Sequence, residues 1–218
     1  MRNIPMFTAA NGMASLILRE IPYSGRAYIM VRSVWNGQTD ALLQECAHFC
    51  RAAGAKEVFA SDGKNDLPAE HAYDILRLTA ERDAMPVPEQ PVELEPVSGK
   101  NGSAYLEIYN SCFRDVPGAA SYDKKDLQRL MTQENGFLAR KDGAYAGVVE
   151  LDSDGIAGIA VLPRYRGLGY DLALTALQQV KAETLCLKVA DTNHRAMALY
   201  RRLGFGNDTL VSRWWRIG

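Results

Sequence analysis

The sequence predicts a mixed α/β protein in which a smaller N-terminal α/β domain precedes a larger one, and three observations predict it. First, three strand-like runs, Gly136 to Arg140, Ala144 to Leu151 and Ile156 to Leu162, are separated by Lys141-Asp142-Gly143 and Asp152-Ser153-Asp154-Gly155, both hairpin turn signals. Second, the last of these runs leads through Pro163 to Gly169 into a helix reaching about Ala182 and then a strand, Thr184 to Ala190, which is the order of a parallel crossover. Third, Met85-Pro86-Val87-Pro88-Glu89-Gln90-Pro91 sets three prolines in six residues and resists both helix and sheet. The expected division is residues 1–85, a linker 86–91 and residues 92–218.

Each remaining element has a local reason. Ala14 to Ile21 and Arg26 to Val34 read as strands around a turn, Pro22-Tyr23-Ser24-Gly25. A helix from Asp40 to Ala53, with Thr39 as its cap and Gly54 as its stop, leads to a strand Lys56 to Ala60. Tyr73 to Thr79 and Val92 to Val97 read as strands. Ser103 to Arg114 places Tyr105, Ile108, Tyr109 and Cys112 at helical spacing, and Lys124 to Thr132 is a second helix. A helix Arg195 to Leu203 and a strand Leu210 to Ile217 follow the crossover. Strand 26–34, helix 40–53 and strand 56–60 repeat the order of that crossover, although any two crossover units share it.

Composition narrows the function. With 218 residues, 47% hydrophobic and 23% charged, the chain has the make-up of a globular protein, which excludes disordered and collagen-like classes. A net charge of -1 offers no broad basic field for nucleic acid. Residues 1–95 hold 9 basic and 13 acidic side chains and residues 96–218 hold the other 16 and 13, so the parts carry -4 and +3 and the second suits an anion. No run nears the roughly 18 apolar residues of a spanning helix, and MRNIPMFTAANG lacks a leader's apolar core, so a cytoplasmic protein without a membrane partner is expected. Cys46, Cys50, Cys112 and Cys186 are too irregularly spaced for a disulfide scaffold and are expected as free thiols. Cys46 and Cys50 flank His48 but share a stripe with Leu42, Phe49 and Ala53, which reads as a buried helix face. No metal site is expected.

The chemistry concentrates at Arg166-Gly167-Leu168-Gly169-Tyr170-Asp171. Glycines between a strand and a helix let successive N–H groups converge at a helix N-terminus, where free amides and the helix dipole attract a phosphate group. The segment has neither the Gly-Lys-Ser/Thr of a Walker loop nor the three glycines of a dinucleotide fingerprint.

Val161-Leu162-Pro163-x-Tyr165-Arg166-Gly167-x-Gly169, followed by Asn193-x-x-Ala196-x-x-Leu199-Tyr200-x-x-Leu203-Gly204-Phe205, resembles the GCN5-related N-acetyltransferase (GNAT) family. The order of elements from Val92 to Ile217 is similar to that family's fold, and the N-terminal part then fits a degenerate half-repeat of it. The resemblance implies acetyl-CoA as cofactor, its pantetheine arm on Ile159, Ala160 and Val161 and its diphosphate on the amides of Arg166, Gly167, Leu168, Gly169, Tyr170 and Asp171. Asn193 would bond the pantetheine or simply cap its helix. Asp171 stands where the family has a small residue, and a carboxylate beside a diphosphate is adverse. Tyr200 resembles the family's general acid, a role that suits a phenol with an ordinary pKa near 10. The cofactor strand holds no carboxylate, so Glu150 on its neighbour is the candidate base, through a water. The resemblance places the acceptor near Tyr109, Phe113, Tyr122 and Trp214. The implied reaction is direct attack of a primary amine on the thioester, with a strand N–H near Val161 polarising the oxyanion. The acceptor would be a small molecule or a peptide, and the chain a monomer or homodimer. The alternative is a non-catalytic acyl-CoA binding or regulatory module, and a third reading makes the N-terminal 90 residues a dimerisation or substrate-covering module.

Overall fold

The computed structural model describes residues 6–218; residues 1–5, the start of the segment read above for a leader, lie outside the described residues. The residues group into two units, one of residues 6–76, 190–192 and 210–218, the other of residues 77–189 and 193–209. The chain changes unit inside the strands Glu70–Glu81 and Gly206–Arg216 and on either side of residues 190–192.

In the first unit, β1 (Met6–Ala9), β2 (Gly12–Ile17) and β3 (Arg26–Val34) pair antiparallel in order. Helix α1 (Ile21–Ser24) joins β2 to β3, and α2 (Thr39–Ala52) carries the chain to β4 (Glu57–Ser61). β3 and β4 run parallel and pair at five positions, Arg26↔Glu57 to Met30↔Ser61. The C-terminal strand Gly206–Arg216, β11 in chain order, joins β4 antiparallel through Trp215↔Ala60 and Arg216↔Phe59. Leu42, Leu43, Cys46, Ala47 and Cys50 of α2 pack on Ala27, Ile29, Val58 and Ala60, and Ile217 completes that core. On the other face Tyr28, Phe59 and Tyr73 form an aromatic cluster with Trp214.

Five local readings change. Glu70–Glu81 (β5) is longer than the strand expected from Tyr73 to Thr79, and β1 was not foreseen. Pro22 to Ser24 are one turn of helix closed by Gly25 at φ 73°, because Pro tolerates an N-terminal helical position and Gly a left-handed cap. Thr39 is already inside α2, whose N-cap is Gln38 without a side-chain bond. Phe49 and Ala53 are exposed and off the buried stripe, and Phe49 leans on Phe7 with ring centroids 5.3 Å apart.

In the second unit β6 (Glu93–Pro96), β7 (Gly136–Lys141), β8 (Ala144–Asp152) and β9 (Gly155–Val161) are antiparallel neighbours in that order, and β10 (Thr184–Ala190) joins β9 in parallel. Helices α3 (Gly102–Phe113) and α4 (Lys124–Gln133) precede β7; α4 starts on a capping box of Asp123 and Asp126. Helix α5 (Gly169–Leu177) crosses from β9 to β10 and ends five residues before Ala182, where turn-type bonds from Gln179 and Val180 close it. Helix α6 (His194–Arg202) follows β10.

Gly155 sets where β9 and β10 meet. A Cβ there would stand 1.8 Å from the Cys186 carbonyl oxygen, and backbone cannot give way as a side chain can. Gly155→Ala is therefore expected to cost about 3 kcal/mol or more, the upper range for overpacking. Gly99→Ala, with open space around it, is the control in chemical denaturation; equal midpoints for the two variants would refute the close approach.

Candidate active site

The site grows from the way β9 leaves β10. The two strands pair at only two positions, Gly155↔Cys186 and Ile156↔Leu187. At the next residue β9 bulges against β8, where the register shifts between Glu150 and Leu151. A bulge bends the strand that carries it. From Gly158 to Val161 the strand pairs with β8 alone, so Ile159, Ala160 and Val161 present backbone groups along an edge that β10 does not take.

That edge leads into a loop with free donors. Pro163–Tyr165 form a single 3-10 turn, with N–H bonds from Tyr165 to Leu162 and from Arg166 to Pro163, and the Leu168 N–H reaches Tyr165. Gly167 takes φ 106°, a conformation L side chains rarely adopt, with open space around it. The N–H groups of Gly167, Gly169, Tyr170 and Asp171 have no acceptor among the described residues. Four unpaired amides at the head of a nine-residue helix form a seat for an anion. Asp171 is half-buried, its carbonyl accepting from the Thr175 hydroxyl at 2.7 Å.

Helix α6 supplies the second part. The Asn193 side chain accepts from the Ala196 N–H at 3.2 Å, so it caps the helix, the plainer of its two expected roles. Leu199 stands 3.6 Å from the place a Gly169 Cβ would occupy, which brings α6 against the head of α5. Tyr200, next to Leu199, is 7% exposed, edge-on to Phe205, and burial pushes its phenol up to about 12.

Helix α3 and the segment before α4 supply a third part. Tyr109 stacks on Phe113 at 4.3 Å and on Tyr122 at 3.8 Å, and the rings of Phe113 and Tyr109 lie 3.6 Å from a Cβ position on Gly158 of β9. Opposite Gly158, Glu150 turns a side chain only 6% exposed to the same wall. The Tyr122 hydroxyl donates to Glu150 Oε2 at 2.5 Å and Arg129 Nη1 donates to Oε1 at 2.7 Å. Burial, then the Glu150 charge, pushes the Tyr122 phenol up to about 12. Asn110 grips the backbone of Tyr122 from both sides, accepting from its N–H at 2.7 Å and donating to its carbonyl at 2.9 Å.

Tyr109, Phe113, Tyr122 and Glu150 thus meet in the second unit, which also contains the β9 edge, the loop and Tyr200. Trp214 belongs to the first unit, stacked on Tyr73 at 6.1 Å and edge-on to Tyr28 at 5.5 Å. Arg129 and Asn110 were not singled out from the sequence, since each is one polar residue on an amphipathic helix until Glu150 and Tyr122 are placed against it.

Residues 103–205 match the family model described as the acetyltransferase (GNAT) family. This segment is a GNAT domain. It lies within the second unit apart from residues 190–192. A mycothiol acetyltransferase of Acidimicrobium ferrooxidans is 27% identical over 201 residues, covering 76% of this chain and 64% of that relative, so the chain spans less than two-thirds of its length. A functionally unknown conserved protein from Staphylococcus epidermidis has a similar fold, with a TM-score of 0.62 at 14% identity over 99% of this chain and 94% of that one. A tandem GNAT protein from the clavulanic acid biosynthesis pathway gives 0.55 at 17% identity over 95% and 79%. The mixed α/β fold expected from the sequence is the fold of these neighbours. No helix among the described residues is long and apolar enough to cross a membrane.

Proposed function

We propose that the chain is an acetyl-CoA dependent N-acetyltransferase acting on a primary amine of a small molecule or peptide. The observation that carries this reading is the unpaired β9 edge running into four free amides at the head of α5, against which α6 packs through Leu199, the residue before Tyr200. A pantetheine arm needs strand donors and acceptors, and a diphosphate needs convergent N–H groups; both are supplied here without any side chain having to move. When bound, acetyl-CoA supplies the activated acyl group.

The chain's own residues then orient and move protons. Ile159, Ala160 and Val161 align the arm, and a strand N–H near Val161 faces the oxygen on which charge develops. Tyr122, stacked and bonded into place, takes a proton from the amine while passing its own to Glu150, whose oxygens already hold Tyr122 and Arg129. Tyr200 gives its proton to the departing thiolate. The aromatic wall of Tyr109, Phe113 and Tyr122 excludes water and can hold an ammonium against ring faces.

A second reading, an acyl-CoA binding module without turnover, is favoured by one observation: both oxygens of Glu150 are already engaged. Release of free thiol from acetyl-CoA across a panel of amines separates the two, since a binding module consumes none. Calorimetric titration is expected to give one coenzyme A per chain. In the first unit β3 and β4 stay paired over five positions where β9 and β10 keep two, which leaves no comparable edge, and Trp35 to Gln38 offer a single glycine. Calorimetric stoichiometry of two would refute this.

A further inference from the structure

The cofactor loop carries cationic groups that its amides do not account for. In the last turn of α6, Arg201 is committed to the Phe205 carbonyl at 3.1 Å and to the Asp208 carboxylate. The next residue, Arg202, forms no ion pair or hydrogen bond among the described residues and is exposed. Its guanidinium lies instead over the ring of Tyr170, with Cζ 4.1 Å from the centroid. Tyr170 is the second residue of α5 and owns one of the four free amides.

Stacking on a ring face has a specific consequence for a guanidinium. The π-face is used and the side chain loses its freedom, while all five N–H donors in the plane remain open in a fork that matches a phosphate. A lone exposed arginine would sacrifice that freedom on binding; this one has already done so. Arg164, over the Tyr165 ring at 5.1 Å, repeats the arrangement at the other end of the loop. The only acidic residue of the loop, Asp171, pairs with neither, so the local charge is positive.

Coenzyme A presents two separate anionic centres, the diphosphate and the 3′-phosphate of its ribose. The four amides answer the first. Arg202 sits at the tyrosine ring, bonded to no loop backbone, and open to solvent, where a dianion that keeps part of its hydration can be met. We propose that Arg202 binds the 3′-phosphate and makes this chain discriminate coenzyme A from its 3′-dephospho form. This rests on the reading of the loop as a coenzyme A site.

The test is calorimetric titration of the full chain with coenzyme A and with 3′-dephospho-coenzyme A, for wild type and Arg202→Met. Methionine keeps an unbranched stem to lie on Tyr170 and removes only the charge and the donors. Wild type is expected to prefer coenzyme A about ten- to a hundredfold, the value of one or two charge-assisted bonds. Arg202→Met should lose that preference while its affinity for the dephospho form stays unchanged. Equal weakening of both ligands would place Arg202 on the diphosphate and overturn the proposal, as would no change in either. Wild type that binds both forms equally overturns it without any variant. Wild type that binds neither overturns the coenzyme A reading of the loop, and the proposal with it.

Discussion

Tyr200→Phe is expected to slow single-turnover acetyl transfer about a hundred- to ten-thousandfold, the range for loss of a general acid, while coenzyme A affinity stays within a few-fold. The ring is buried edge-on to Phe205, and phenylalanine keeps the ring, so packing and the adjoining loop are preserved. Burial alone raises the phenol to about 12. The hydroxyl therefore keeps its proton throughout pH 6 to 9, and Tyr200 adds no alkaline limb to the rate profile below about pH 10. The same shift bears on stability with a definite sign: the folded state holds this proton more tightly than the unfolded chain, so the contribution is full below about pH 10 and is lost as pH rises through about 12. Single-turnover measurement isolates the chemical step from product release. Transfer by the Phe variant at the wild-type rate would reduce Tyr200 to a packing residue.

Gly169→Glu is expected to abolish coenzyme A binding without unfolding the domain. A Cβ at Gly169 meets only Leu199 Cδ2 at 3.6 Å and Val161 Cγ2 at 3.9 Å, ordinary contacts, so Gly169→Ala should bind nearly as wild type. A glutamate brings a carboxylate to a residue that itself owns one of the four free amides. Two like charges about 4 Å apart repel by about 4 kcal/mol at an effective dielectric of 20, close to a thousandfold in affinity. The comparison that decides is Glu against Ala in calorimetry, with thermal unfolding as the check on folding. If both variants bind alike, the diphosphate is not held by this loop.

The sequence made some of this legible and hid the rest for physical reasons. Turn chemistry at Asp142-Gly143 and Asp154-Gly155 marked the meander because tight hairpins admit few residues, and strand Thr184–Ala190 was read to its limits. The glycine loop was visible as a motif because a backbone that turns through φ 106° at Gly167 restricts residue choice, and the Tyr200 helix because its residues follow the family pattern. What stayed hidden depends on partners distant in sequence. Glu150 was a lone carboxylate on a strand until Arg129 and Tyr122, 21 and 28 residues away, closed on its two oxygens. Trp214 shared an aromatic character with Tyr109 but not its unit, and no periodicity reports that. Arg202 was indistinguishable from Arg201 until one found Asp208 and the other a tyrosine face.

The return of the last strand to the first unit bears on the order in which the chain folds as it is made. β4 waits for Trp215 and Arg216, and the core under α2 waits for Ile217. Synthesis at about 5–20 residues per second delivers the whole GNAT segment before those residues leave the ribosome. An N-terminal unit that would ordinarily finish first must here hold an open strand edge through the making of the second, so a released chain that stops at residue 209 should display a protease-sensitive first unit and a protected second one.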